Sequence, residues 1–320
     1  MPYDWRPQAA LTFLALPLSL RAKLHYDSMA SLDQAPAGEL PMLSVIIPAR
    51  NEAANLVHLL PSLQRLDYPG PLEIIVVDDN STDETAHIAQ ACGAQVVRVD
   101  HLPAGWKGKP HACHRGAEAS HGQWLLFTDA DTLHTPPSAA RAVSTALQHG
   151  LDGLSLFIKQ ECRGTLDRLA LMTAYAGLFA GPQPENRLLN GQYILLRRDV
   201  YQHSGGFAAV RQEALEDVAL GHHLRQLGYT VAVLLGEDVA AVRMYGSLAQ
   251  LWHGMNRLAA DSLRWSGPPA LWTGLFVTAL MSPLVVLLAV AAGGLNRRWL
   301  PATWAAARWV ARLIAEAEGS

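Results

Sequence analysis

Trp124-Leu125-Leu126-Phe127-Thr128-Asp129-Ala130-Asp131 decides how the chain is read. An apolar run with the character of a buried strand ends at once in two carboxylates spaced i and i+2. Residues two apart on a strand point to the same side, so Asp129 and Asp131 can grip one object together. Hard divalent cations such as Mg²⁺ are held by one or two carboxylates, with the phosphates of a substrate completing the shell. The run therefore suggests a phosphate-bearing substrate carried on a metal. On these residues alone, ordinary turn chemistry reads the same way.

Outward from this run, strand-like and helix-like segments alternate from residue 43 to about 240. Leu43 to Pro48 reads as a buried strand. A helix follows, with Leu56, Leu59, Leu60, Leu63 and Leu66 on one face and Pro61 as a kink. Glu73 to Val77 reads as a second buried strand ending at Asp78 and Asp79. Ser81 and Glu84 have the spacing of a capping box for the next helix, which Gly93 closes. Gln95 to Val99 and Gln123 to Thr128 complete four strands. Strands separated by helices of this length predict an α/β fold with a mainly parallel sheet and helices on both faces. Ligands of such sheets lie beyond the carboxyl ends of the strands. That rule places Pro48-Ala49-Arg50-Asn51-Glu52, Asp78-Asp79-Asn80 and Asp129-Ala130-Asp131 along one rim.

The 320 residues exceed one compact domain, and they are 50% hydrophobic and only 17% charged. A net charge of −3 without any Lys/Arg run gives no argument for a nucleic-acid partner, and none is expected. Cys92, Cys113 and Cys162 lack metal-ligand spacing and read as free thiols of a reducing compartment. From Leu271 to Leu295 no residue is charged, which is long enough to cross a bilayer of roughly 30 Å. Ahead of it, Leu248, Leu251, Trp252, Met255, Leu258 and Ala259 recur at helical spacing, as in an amphipathic interfacial helix. Behind it, Arg308, Arg312 and Glu316 form one stripe of an amphipathic tail. Residues 9–20 are too short to span, contain Pro17 and read as a docking element. The expected organisation is a docking segment at 1–40, a catalytic domain at 41–240, an interfacial helix at 241–268, a membrane segment at 269–295 and a tail at 296–320. Arginines on both flanks favour keeping both in the cytoplasm, so a re-entrant hairpin at Pro283 and a single crossing both stay open.

Four motifs occur in order: Ser44-Val-Ile-Ile-Pro-Ala-Arg-Asn-Glu52, Val76-Val-Asp-Asp-Asn-Ser-Thr-Asp83, Thr128-Asp-Ala-Asp-Thr132 and Glu216-Asp-Val-Ala-Leu220. With Gly191-Gln192-Tyr193 and Gly205-Gly206-Phe207, they resemble family 2 glycosyltransferases of the GT-A fold. Residues 103–110 and 242–245 are similar to a branch acting on lipid acceptors, of the carotenoid, hopanoid and ceramide type. The resemblance implies a metal-dependent, inverting transfer of sugar from a nucleoside diphosphate, by default a UDP-sugar, to a hydroxyl of a lipid-like acceptor. It assigns Asp79 to the nucleobase, and Pro48, Arg50 and Glu52 to the nucleotide pocket. Asp129 and Asp131 would hold ribose and Mg²⁺ or Mn²⁺, and Asp217 would be the general base with Glu216 and Gln192 on the substrate. The catalytic domain would face the cytoplasm at a membrane.

Lys107 and Lys109, in a Gly-rich loop ahead of a helix with Pro110 near its start, suit phosphates, or are ordinary surface lysines. His111 and His114 lack a third ligand and read as packing or surface histidines. Asp261-Ser262-Leu263-Arg264-Trp265 is similar to the Gln/Arg-x-x-Arg-Trp motif of ceramide glucosyltransferases. Asp261 departs from it, so only Arg264 and Trp265 are carried over as substrate-binding residues. A polysaccharide synthase, a nucleotidyltransferase and a non-catalytic nucleotide-sugar binder are the competing readings.

Overall fold

The computed structural model describes residues 20–34, 38–162, 189–213 and 215–243. The chain divides into two compact units: Met1–Ser28 with Gly164–Pro182 and Asn256–Ser320, and Met29–Arg163 with Gln183–Met255. Of the first, the described part is helix α1 (20–27), with an exposed Lys23–Asp27 pair one turn apart. The interfacial helix, the apolar segment, the tail, the docking element up to residue 19, and Arg264 with Trp265 lie outside the described residues. Among the described residues no helix is long and apolar enough to cross a membrane.

The second unit is built on a seven-stranded sheet and a three-stranded one. In chain order its elements are β1 (Leu43–Ala49), α2 (Ala53–Gln64), β2 (Leu72–Asp78), α3 (Thr85–Ala91), β3 (Gln95–Arg98), α4 (Gly108–Ala119) and β4 (Trp124–Thr128). There follow β5 (Thr132–His134), α5 (Ser138–Gln148), β6 (Gly153–Phe157), β7 (Lys159–Gln160) and β8 (Tyr193–Arg197). The rest are α6 (Arg198–Ser204), α7 (Gly206–Ala209), α8 (Glu216–Gln226), β9 (Val231–Leu235) and β10 (Ala240–Val242). The large sheet runs β3-β2-β1-β4-β8-β6-β9, and β10 joins β5 to β7 in the small one.

The mainly parallel sheet expected from the alternating pattern is present, with β1, β2, β3 and β4 all parallel. Successive strand residues face opposite sides, and each side is covered. Val45 and Ile47 join the core that holds Leu56, Leu59, Leu60 and Leu63 of α2. Ile46 on the other side meets Gly116 of α4. Pro61 sits inside α2, which runs unbroken to Gln64.

Two features depart from the pattern. Strand β8 runs antiparallel to both β4 and β6, and its start, Tyr193, lies opposite Thr128 at the end of β4. The residues leading into β8 therefore reach the same rim as the exits of β1, β2 and β4. The capping box at Ser81 and Glu84 does not form, and α3 starts at Thr85. Ser81 is engaged elsewhere: its hydroxyl accepts from the Asn51 N–H at 2.9 Å, and its own N–H donates to Asp78 Oδ1 at 3.0 Å. Asp83 serves α3 instead, accepting from the Thr85 N–H at 3.0 Å.

Helix α4 approaches the sheet closely enough that a Cβ on Gly116 would lie 2.4 Å from Ile46 Cγ2 and 2.9 Å from Val77 Cγ2. Gly116→Ala should therefore cost about 1–3 kcal/mol of stability through overpacking. A urea titration would show the midpoint falling with an unchanged slope.

Candidate active site

The rim at β1 and β2 is locked by reciprocal bonds between the two loops. Asn51 and Asn80 follow the strand exits at φ 56° and 55°, a left-handed conformation that asparagine tolerates better than most residues. Asn51 Oδ1 accepts the Thr82 N–H at 2.8 Å. Thr85 Oγ1 accepts the Glu52 N–H at 2.8 Å and Asp83 Oδ2 the Ala53 N–H at 3.2 Å, so the second loop caps the first loop's helix. The backbone of Asp79 donates to Ala49 O at 2.8 Å. Its carboxylate, largely covered, faces Arg50 Nη1 at 4.0 Å, and a Cβ on Gly108 would stand 2.9 Å from it. Glu52 accepts from Asn55 Nδ2 at 2.6 Å. Burial raises its pKa against that bond, with the charges of Asp129 and Asp83 adding to the rise.

Asp129-Ala130-Asp131 forms the turn from β4 to β5, and a buried polar network holds it from below. Thr132 Oγ1 donates to Asp129 O at 2.7 Å, and Thr128 Oγ1 donates to Gln192 O at 3.0 Å. His134 Nε2 lies 3.0 Å from Thr128 Oγ1 and its Nδ1 3.2 Å from Ser138 Oγ. Burial pushes the His134 pKa down to about 4, so the ring is neutral and can accept as well as donate. The Arg243 N–H closes the turn at Asp131 O, 3.1 Å away. Asp131 is pushed up to about 7, first by burial and then by the charges of Asp129 and Glu52.

On the other side of β4, Lys109 in the first turn of α4 lies between acidic groups from distant parts of the chain. Its Nζ is 2.7 Å from Asp129 Oδ1 and 3.3 Å from Glu216 Oε1. Burial opposes its charge, but Asp129 and Glu216 outweigh that and hold its pKa well above the ordinary lysine value. Asp217 is pushed up to about 6 by burial and by Glu216, with Lys109 working the other way. Its Oδ2 accepts the Gly191 N–H at 2.8 Å. A Cβ on Gly191 would stand 2.9 Å from that oxygen and 3.2 Å from Lys109 Nζ, so a larger residue here would displace both charged groups.

Pro48, Lys109, Asp129, Gly191, Glu216 and Asp217 line one pocket, with Cys113, Phe127, Thr128, Ile194 and Phe207 behind them. The sequence-derived candidates Arg50, Glu52 and Asp79 stand on the neighbouring exits. Gln192 is buried and turned aside, its Oε1 accepting from Gln160 Nε2 at 3.0 Å and Asn190 Nδ2 at 3.2 Å. His111 and His114 pack on Trp106, with ring centroids 5.2 and 5.1 Å away. Gly191, Thr132 and His134 are residues of the site that sequence reasoning misses. Gly191 lies in a recognisable motif, but its place opposite Asp217 depends on the reversed strand.

A divalent cation suits this rim in charge and donor type. Asp129 and Asp131 offer hard oxygens, and after burial the charges of Asp129 and Glu52 add to the rise in the Asp131 pKa, charges that a bound cation would offset. Among the described residues no three His, Cys, Asp or Glu side chains form a ready-made metal group. Two protein carboxylates are sufficient where substrate phosphates complete the shell.

Residues 44–219 match the sequence profile of Glycosyl transferase family 2. The chain belongs to this family. A 4,4'-diaponeurosporenoate glycosyltransferase of Staphylococcus aureus is 32% identical over 215 residues, taking in 63% of the chain and 56% of that protein. The chain thus spans little more than half the length of this relative. Among solved structures, the fold is similar to a mannosyltransferase from Pyrobaculum calidifontis in complex with GDP-Man and Mn²⁺. That match has a TM-score of 0.59 at 21% identity, covering 97% of this chain and 91% of that one. Glucosyl-3-phosphoglycerate synthase from Mycobacterium tuberculosis, with Mn²⁺ and UDP, gives 0.51 at 23% identity over 75% and 88% of the two chains. These likenesses establish the GT-A-like α/β fold.

Asp131 has a folded pKa above its ordinary value of 3.8, so its ionisation costs stability. The cost is absent in acid and complete above about pH 7. Metal-free Asp131→Asn should melt higher than wild type at pH 8, by on the order of 2 kcal/mol of stability. The gap should close near pH 4, as calorimetry at the two pH values would show.

Proposed function

We propose that this family 2 glycosyltransferase moves a sugar from a nucleoside diphosphate to a hydroxyl of a lipid-like acceptor, with inversion, at the cytoplasmic face of a membrane. The observation that carries the reading is the pocket itself: one ammonium joins the carboxylate after β4 to the acidic pair opening α8. A donor side and an acceptor side therefore meet within a few ångströms.

On the donor side, Asp79 accepts a ring N–H of the base, which a carboxylate does only as an acceptor. Arg50, Glu52 and Pro48 border the nucleotide. Asp129 and Asp131 orient the ribose and diphosphate and would hold the cation. Bound Mg²⁺ or Mn²⁺ would supply neutralisation of the charge growing on the leaving nucleoside diphosphate. On the acceptor side, Asp217 takes the proton of the attacking hydroxyl, its carboxylate oriented by the Gly191 N–H on Oδ2 and the Val218 N–H on Oδ1, each at 2.8 Å. Glu216 and Lys109 set the charge around it. Attack on the anomeric carbon from the face opposite the diphosphate inverts the configuration in a single displacement.

Nucleotide-sugar use is supported by fold neighbours solved with GDP-Man or UDP. A lipid acceptor is supported by the carotenoid-acid relative and by the uncharged stretch from Leu271 to Leu295. A UDP-sugar is the family default, and Arg264 and Trp265 are kept as acceptor-side candidates.

Incubation with UDP- and GDP-sugars, Mn²⁺ or Mg²⁺ and extracted membrane lipids should give a sugar-bearing lipid detectable by mass spectrometry. Its absence with every donor would remove the lipid acceptor from the reading. Asp217→Asn should lower kcat by about 100-fold or more without lowering the melting temperature at pH 8. Because Asp217 acts only when ionised and its pKa is raised to about 6, kcat/KM should climb as pH rises through that value. A flat profile, or full activity in Asp217→Asn, would place the base elsewhere.

A further inference from the structure

Lys109 does more in this arrangement than a phosphate-binding lysine requires. Its Nζ touches Asp129 Oδ1 at 2.7 Å and Glu216 Oε1 at 3.3 Å. A Cβ on Gly191 would meet both Asp217 Oδ2 and Lys109 Nζ, so the ammonium and the second carboxylate of α8 converge beside the same Cα. The ammonium is carried by the first turn of α4, a helix pinned against the sheet at Gly116. Without a donor, the ammonium is paired with these oxygens. A divalent cation bound through Asp129 would share that carboxylate with the ammonium, which already contacts its Oδ1, and two cations on one carboxylate repel each other.

We infer that Lys109 is an internal counter-ion that competes with the divalent cation for Asp129. Metal alone then binds weakly, and it binds tightly only with a nucleoside diphosphate, whose phosphate oxygens receive the displaced ammonium. The inference rests on the reading of Asp129 as a cation ligand and adds an order of binding to it. A lysine that merely grips phosphate makes a different forecast, because its removal weakens nucleotide binding and leaves metal affinity untouched.

The test is a Mn²⁺ titration followed by electron paramagnetic resonance, without nucleotide and with saturating UDP or GDP. Lys109→Gln should bind Mn²⁺ alone about tenfold more tightly than wild type. The gain in Mn²⁺ affinity produced by UDP or GDP should shrink by about the same factor. Lys109→Arg, which keeps the charge, should resemble wild type. Unchanged or weaker Mn²⁺ binding by Lys109→Gln overturns the inference while leaving the metal site standing. Should Lys109→Gln not fold, wild-type protein decides: equal Mn²⁺ affinity with and without nucleotide overturns it too. Failure of the underlying reading looks different, since Asp129→Asn would then bind Mn²⁺ as well as wild type in the presence of UDP and GDP.

Discussion

Asp129, Glu216 and Asp217 can share one pocket because the Lys109 ammonium stands among them. Buried like charges are costly to bring together, and a cation with direct contacts to two of them removes much of that cost. The rest of the unit serves to deliver these groups to one place. Parallel β1, β2 and β4 carry three acidic loops to a common edge, and reversed β8 brings Gly191 back to it. Helix α4 supplies the lysine, and Lys107 at its start is tied to Arg211 O by a 2.9 Å backbone bond. The ion cluster is thus assembled from segments far apart along the chain, and it exists only in the folded state.

The rim at the exits of β1, β2 and β4 is legible in the sequence because parallel strands obey a rule that sequence carries directly. An apolar run that ends in a carboxylate marks a strand exit, and all exits of a parallel sheet face one way. Asp79 and Asp129 are placed correctly by that rule. Gly191 is not, because nothing in Tyr193 to Arg197 distinguishes a strand running up from one running down. Only its pairing with β4 and β6 sets the direction. The surroundings of Gln192 are illegible for a related reason: its Oε1 accepts from Gln160 and Asn190 inside the fold, contacts that depend on where β7 and β8 lie.

Local rules fail where two partners seek the same group. Ser81 and Glu84 have the right spacing for a capping box, yet Ser81 is taken by the neighbouring loop at Asn51. A tertiary contact outcompetes a local one, and Asp83 then takes over the start of α3. The histidine pair runs the other way. Without a third ligand, His111 and His114 are expected to pack, and both lie on Trp106.

The loops beyond β1 and β2 are stapled through Asn51, Ser81, Thr82 and Asp83, whereas the opposite wall is assembled from β8 and α8, which belong to other stretches of chain. The two walls are therefore held differently, one by hydrogen bonds between its own loops and the other by the pairing of β8 with β4 and by the Lys109–Glu216 contact. The bonds of the staple run between the two loops themselves, so they do not depend on α8. A change of side chain on α8 therefore leaves the backbone of the first wall standing while it alters what faces Lys109 across the pocket.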